Sequence, residues 1–176
     1  MDSSFFAYMQ QLELMAFFSG YALIYTVVIF AAGNLPVKKT LADRTVSLLP
    51  FAYALVGTLY LGFKLKNLYP DYSFENIMLS IQQPFLISWG LLSMLFWIPA
   101  FAKKKSLSLI HSLVFFFFFM RDLFLPLFSS LHDPKIIEND IKVYTNSLMV
   151  NFVALLFILL ISLLYIYCKR VQSPKS

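Results

Sequence analysis

Five apolar runs dominate this chain: Leu12 to Ala32, Val46 to Phe63, Phe85 to Ala102, Leu107 to Leu127 and Leu148 to Tyr167. An α-helix needs roughly 20 residues to cross about 30 Å of hydrocarbon, and each run approaches or reaches that length. The second and third reach it only with their flanks. The expected spans are therefore 10–33, 45–65, 83–102, 106–128 and 146–168. With 60% hydrophobic and 13% charged residues in 176, the chain is far from the roughly 45–50% and about 25% of a soluble domain. The surplus apolar surface of a soluble fold would lie exposed as sticky patches. A bilayer instead solvates it. The expected fold is all-α, an integral membrane bundle of five transmembrane helices forming a single domain over 1–176, with no room for a separate soluble catalytic domain.

The first run is expected to be a retained helix and not a cleaved signal. No Lys or Arg precedes Lys38, and the run is too long for a signal core. Orientation follows from the basic residues of each connection. The N-terminal tail has none. The first connection has Lys38, Lys39 and Arg44; the second has Lys64 and Lys66, diluted by Asp71 and Glu75. The third has Lys103, Lys104 and Lys105; the fourth has Lys135 and Lys142 against Asp133, Glu138 and Asp140. The tail has Lys169, Arg170 and Lys175. This poor–rich alternation places the N-terminus outside and the C-terminus in the cytoplasm. The two inner connections are short, so the helices they join are antiparallel neighbours. The two outer ones carry helical spacing. Phe74, Ile77, Met78 and Ile81 share one face, as do Ile137, Ile141 and Tyr144. Short helices lying on the outer membrane surface fit both segments, with irregular loops as the alternative.

Ionisable residues inside a span cost a few kcal/mol on insertion scales and need a partner, water or a role. Glu13 lies at the outer end of the first run, on the face that carries Ala16 and Gly20; small residues four apart let another helix come close. Arg121, Asp122 and Asn151 fall at a similar outer depth. The expectation is an outer polar cluster of Glu13 with Arg121, supported by Asp122 and Asn151. Arg121 and Asp122, about 100° apart on one helix, are not natural partners for each other. The cluster is read first as a structural ion pair, or as an arginine reaching out to headgroups, and second as a binding or proton-handling site. On the inner side His111 could meet Asp43 or Arg44, which begin the second helix; Asp43 at a helix start is the better reading of that residue, and a His–Asp pair that shuttles protons the lesser one. Pro50 suggests a kink. Phe115 to Phe119 wrap the fourth helix in aromatic bulk. Trp89, Trp97, Tyr69, Tyr72, Tyr165 and Tyr167 fit an interfacial belt.

The single cysteine, Cys168, excludes an internal disulfide and a cysteine-based metal site. No phosphate-binding glycine loop, zinc-protease or serine-hydrolase motif occurs. No metal or cofactor is expected, and the Lys and Arg residues, in short clusters between apolar runs, suit anionic lipid headgroups better than nucleic acid. The leading expectation is a non-catalytic structural, anchoring or assembly subunit of a larger membrane complex. Its partners would be the lipid bilayer and other membrane subunits or further copies, in the cell membrane, with a bacterial inner membrane favoured. A small-solute or proton-coupled carrier or channel is the alternative, and a membrane-embedded lipid-modifying enzyme the third reading.

Overall fold

A computed structural model describes residues 3–34, 39–128 and 134–172. Among them every regular element is helical: α1 (Ser3–Phe18), α2 (Tyr21–Asn34), α3 (Lys39–Leu68), α4 (Phe74–Ser80), α5 (Pro84–Leu92), a 3₁₀ segment (Ser93–Trp97), α6 (Pro99–Ala102), α7 (Lys105–Phe128) and α8 (Pro134–Gln172). Among the described residues three helices are long and apolar enough to cross a membrane: Ala7–Asn34, Leu41–Leu68 and Ile141–Lys169. They mark the chain as a membrane protein, but the count is three and not the expected five.

The shortfall has a visible cause in the third run. It is not one helix. After Leu92 the backbone tightens into the 3₁₀ segment, becomes extended at Ile98 (φ −77°, ψ 122°), and restarts at Pro99. A residue before proline is driven out of the helical region, so Pro99 fixes where the run breaks. The fourth run does form one 24-residue helix, α7, which is not among those three. The fourth connection also departs from expectation. The segment expected as a surface helix, Lys135 to Tyr144, is the start of α8, which continues unbroken for 39 residues. Its counterpart does form a short helix, α4, capped by Ser73, whose hydroxyl accepts from the Asn76 amide at 3.3 Å. Ile77 and Ile81 of that segment turn toward α3 and α5 while Phe74 and Met78 stay exposed.

The span Ala7–Asn34 is itself interrupted, at Ser19–Gly20. In lipid a freed backbone group must find a partner, and α8 supplies it. The Gly20 amide donates to Ser147 Oγ at 2.8 Å. One turn further along α8, Asn151 Nδ2 donates to the Phe17 carbonyl at 2.7 Å. Glycine is required by the approach. A Cβ on Gly20 would sit 2.6 Å from Leu148 N and 2.7 Å from Ser147 C, both backbone atoms. A second close crossing lies where the 3₁₀ segment meets α3: a Cβ on Gly57 would fall 2.0 Å from Ser93 Oγ. Around these crossings the core is aromatic. Phe18, Tyr21, Tyr53, Tyr60, Phe96 and Phe115 are all buried in one cluster. Phe18 stacks on Phe115 with centroids 4.9 Å apart. Of the five consecutive phenylalanines, Phe115 and Phe119 face inward at helical spacing and Phe117 faces out. Pro50 lies within α3, which continues as one helix from Lys39 to Leu68.

Candidate functional site

The outer polar residues do not form one cluster. Glu13 pairs with Lys64 at the end of α3, and Lys64 also lies over the Tyr60 ring, 5.8 Å from its centroid. Arg121 does not meet Glu13. It pairs with its own neighbour, Nη2 to Asp122 Oδ1 at 2.8 Å and Nε at 2.9 Å, with its guanidinium 5.1 Å from the Phe118 ring. The long arginine side chain folds back around the helix, which overcomes the 100° offset. Asp122 Oδ2 accepts from Gln11 Nε2 at 2.5 Å. Gln11 and Glu13 are two residues apart on α1, hence about 200° apart, so they address α7 and α3 respectively. Asn151 joins neither pair; it serves the α1–α2 break.

Gln10 completes this end. Its Oε1 accepts from the backbone amides of Gln82 and Gln83 at 3.0 and 3.1 Å, and Gln83 Nε2 donates to the Ala7 carbonyl. These bonds strap α1 to the entry of α5.

On the other side, His111 and Asp43 are apart. His111 Nδ1 lies 2.8 Å from Tyr53 Oη, and Tyr53 is ten residues, about 15 Å, along α3 from Asp43. Asp43 is exposed, in the second turn of a helix that already began at Lys39, so it is not at the helix start. The imidazole is clamped by aromatic rings. Trp89 stacks on it with centroids 4.8 Å apart and planes 3° from parallel, and Phe96 and Phe115 close in at 6.1 and 6.2 Å. Trp89 Nε1 donates to the His111 carbonyl at 3.2 Å. The other histidine nitrogen, Nε2, is buried and has no hydrogen-bond partner among the described residues. Trp97 Nε1 donates to Thr58 Oγ1 at 2.9 Å, midway along α3. Both tryptophans thus make specific contacts within the bundle, whereas Tyr69, Tyr72, Tyr165 and Tyr167 are exposed.

Two polar links were not foreseen. Tyr21 Oη and Ser108 Oγ are 2.9 Å apart, tying α2 to the first turns of α7. Arg44 reaches α8, its Nε donating to Ser162 Oγ at 3.0 Å and its Nη2 to Ser162 O and Oγ. The sequence offers Arg44 as a connection charge and as a possible partner of His111; its partner is instead Ser162 of α8. Among the described residues no group of three His, Cys, Asp or Glu side chains could hold a metal ion. From the sequence, His132 and Asp133 with Glu138 and Asp140 could bind a cation, although loop acids usually stay solvated; His132 and Asp133 lie outside the described residues. No family model, curated protein or solved structure matches this chain.

Proposed function

We propose that this chain is a five-crossing membrane subunit with its N-terminus outside, holding partners in an assembly and not itself converting or passing a substrate. The broken segment from α5 to α6 and the continuous α7 supply the third and fourth crossings in this reading, and the alternation of basic connections supplies the orientation. A cytoplasmic membrane of a bacterium is the setting the composition favours. The observation that carries the functional reading is the filled centre of the bundle. Where a carrier would place a polar cavity, Phe18, Tyr21, Tyr53, Tyr60 and Phe115 pack ring against ring. The intramembrane polar groups Ser147, Asn151 and Arg44 bond other helices. Meanwhile α8 leaves Met149, Phe152, Val153, Phe157, Leu160 and Leu164 exposed along one long helix, a surface open to lipid or to another subunit.

The test is purification from native membrane in mild detergent. A stable heteromeric complex is the expected result; a homogeneous homo-oligomer whose proteoliposomes pass a solute would sink the reading. The carrier reading rests on one specific feature. Two interrupted segments, α1–α2 and α5 with its 3₁₀ extension, pack directly on each other: a Cβ on Gly90 would meet Leu14 Cδ2 at 2.9 Å and Phe18 Cε2 at 3.0 Å. Paired discontinuous helices are a feature of secondary transporters. His111→Phe combined with Tyr53→Phe separates the two readings, since the pair keeps the aromatic clamp and removes the unpartnered nitrogen without stranding the Tyr53 hydroxyl that His111 Nδ1 meets at 2.8 Å. A carrier using His111 would lose transport; a scaffold would keep its partners.

A further inference from the structure

We infer that the elbow joining α5, α6 and α7 is a binding site for one anionic phospholipid, with an acyl chain in the groove and the headgroup phosphate on Lys103, Lys104 and Lys105. The groove holds about 220 Å³ and is walled by Trp89, Leu92, Leu95, Phe101, Leu107 and Ile110, with Phe96 and His111 at its floor. Leu92, Leu95, Phe101, Leu107 and Ile110 are exposed, so the groove opens sideways, toward lipid in a membrane. It is there because the helix breaks. The 3₁₀ segment and the restart at Pro99 carry the chain off the line of α5, and a straight helix would fill the space.

The occupant is chosen by charge. Phe101 and Leu107 both wall the groove, and the residues connecting them include three consecutive lysines. No Asp or Glu occurs in the sequence between Glu75 and Asp122. Among the described residues the two ion pairs are Lys64–Glu13 and Arg121–Asp122, so the triplet carries uncompensated positive charge at one end of an apolar slot. An amphiphile with a hydrocarbon tail and an anionic head matches both halves. A zwitterionic lipid matches only the tail, and inorganic phosphate only the head. Each lysine beside an anionic lipid surface strengthens association about fivefold.

Trp89 and Trp97 are the two tryptophans, which makes the site readable by fluorescence. In a Trp97→Phe protein, Trp89 reports from the groove wall. Reconstituted into vesicles, it is quenched by phosphatidylglycerol brominated on the acyl chain or by phosphatidylcholine brominated in the same way. The expected result is at least a tenfold preference for the anionic lipid, unchanged by millimolar inorganic phosphate and reduced to within twofold in K103Q/K104Q/K105Q. The companion Trp89→Phe protein, reporting from Trp97 beside Phe51 and Thr58, is expected to show no such preference. Equal quenching of Trp89 by the two lipids would overturn the site. So would the same preference at Trp97, which would mean a general anionic lipid shell, or loss of the preference in phosphate, which would mean a soluble anion. Circular dichroism on each variant confirms the helical fold, and the two-lipid comparison on Trp89 needs no lysine variant.

Discussion

Replacing Gly20 with alanine places one methyl group between two backbones. The added carbon would lie 2.6 Å from Leu148 N, 2.7 Å from Ser147 C and 2.9 Å from Leu148 Cα. None of these atoms can rotate away, so α8 and the α1–α2 break must separate by about 1 Å to reach ordinary contact. That movement stretches the 2.8 Å bond from the Gly20 amide to Ser147 and the 2.7 Å bond from Asn151 to the Phe17 carbonyl. Overpacking of this kind costs about 1–3 kcal/mol. Loss of a hydrogen bond within a membrane bundle adds about 0.6–1.7 kcal/mol. Gly20→Ala is therefore expected to destabilise the protein by about 2–4 kcal/mol. The assay is reversible unfolding in mixed micelles with increasing SDS, followed by circular dichroism. Gly62→Ala is the control, because a Cβ there meets nothing within 4 Å; alanine's higher helix propensity makes that change neutral or stabilising by up to about 1 kcal/mol. If Gly20→Ala unfolds at the same SDS fraction as Gly62→Ala, the close crossing is not what holds these helices together.

Gly57→Ala meets a side chain and not a backbone, so its cost is conditional. Expected at about 1–2 kcal/mol alone, it shrinks when Ser93→Ala removes the hydroxyl that the new carbon would strike at 2.0 Å and leaves the Ser93 Cβ at 3.2 Å; a double-mutant cycle reads the coupling. Arg44→Gln loses the grip of α3 on Ser162 and is expected to lower the melting temperature in detergent, whereas Lys169→Gln, with no such link among the described residues, is not. A Glu13→Gln/Lys64→Gln cycle should return less than about 1 kcal/mol, because both side chains are about a quarter exposed and partly solvated pairs are weak. A coupling above about 2 kcal/mol would mean the pair is far drier in the membrane than its exposure indicates.

Much of the helical framework is legible in the sequence, because hydropathy and helix length depend on nearby residues. Gly20 as a close-approach residue was legible for the same reason, from its spacing to Ala16 and Glu13. What the sequence hid are features decided by partners far along the chain. The break at Ser19–Gly20 is stable only because Ser147 and Asn151 satisfy it from α8, and nothing in residues 12–32 announces them. The third run reads as a span by composition, although Gly90, Ser93 and Pro99 together were the signal that it would not stay helical. The polar pairing was misread for a physical reason as well. Lys64 was counted as a loop charge, so Glu13 was left looking for Arg121. Trp89 reads as an interfacial residue from its position near a run end, and nothing near it in the sequence announces that its ring also covers His111.

The distance in sequence between Gly20 and Ser147, 127 residues, also sets an order of events. A chain made from its N-terminus places residues 7–34 in the bilayer long before residue 147 exists. At that stage a break would strand the Gly20 amide in hydrocarbon, at a cost of several kcal/mol. The cheaper state is an unbroken helix with that amide bonded to Ala16. The interruption is thus expected to form late in biogenesis, when α8 arrives and exchanges one hydrogen bond for another. A chain truncated after residue 140 should carry residues 7–34 as one uninterrupted helix, measurable by amide exchange at Gly20, and completing the chain should switch it.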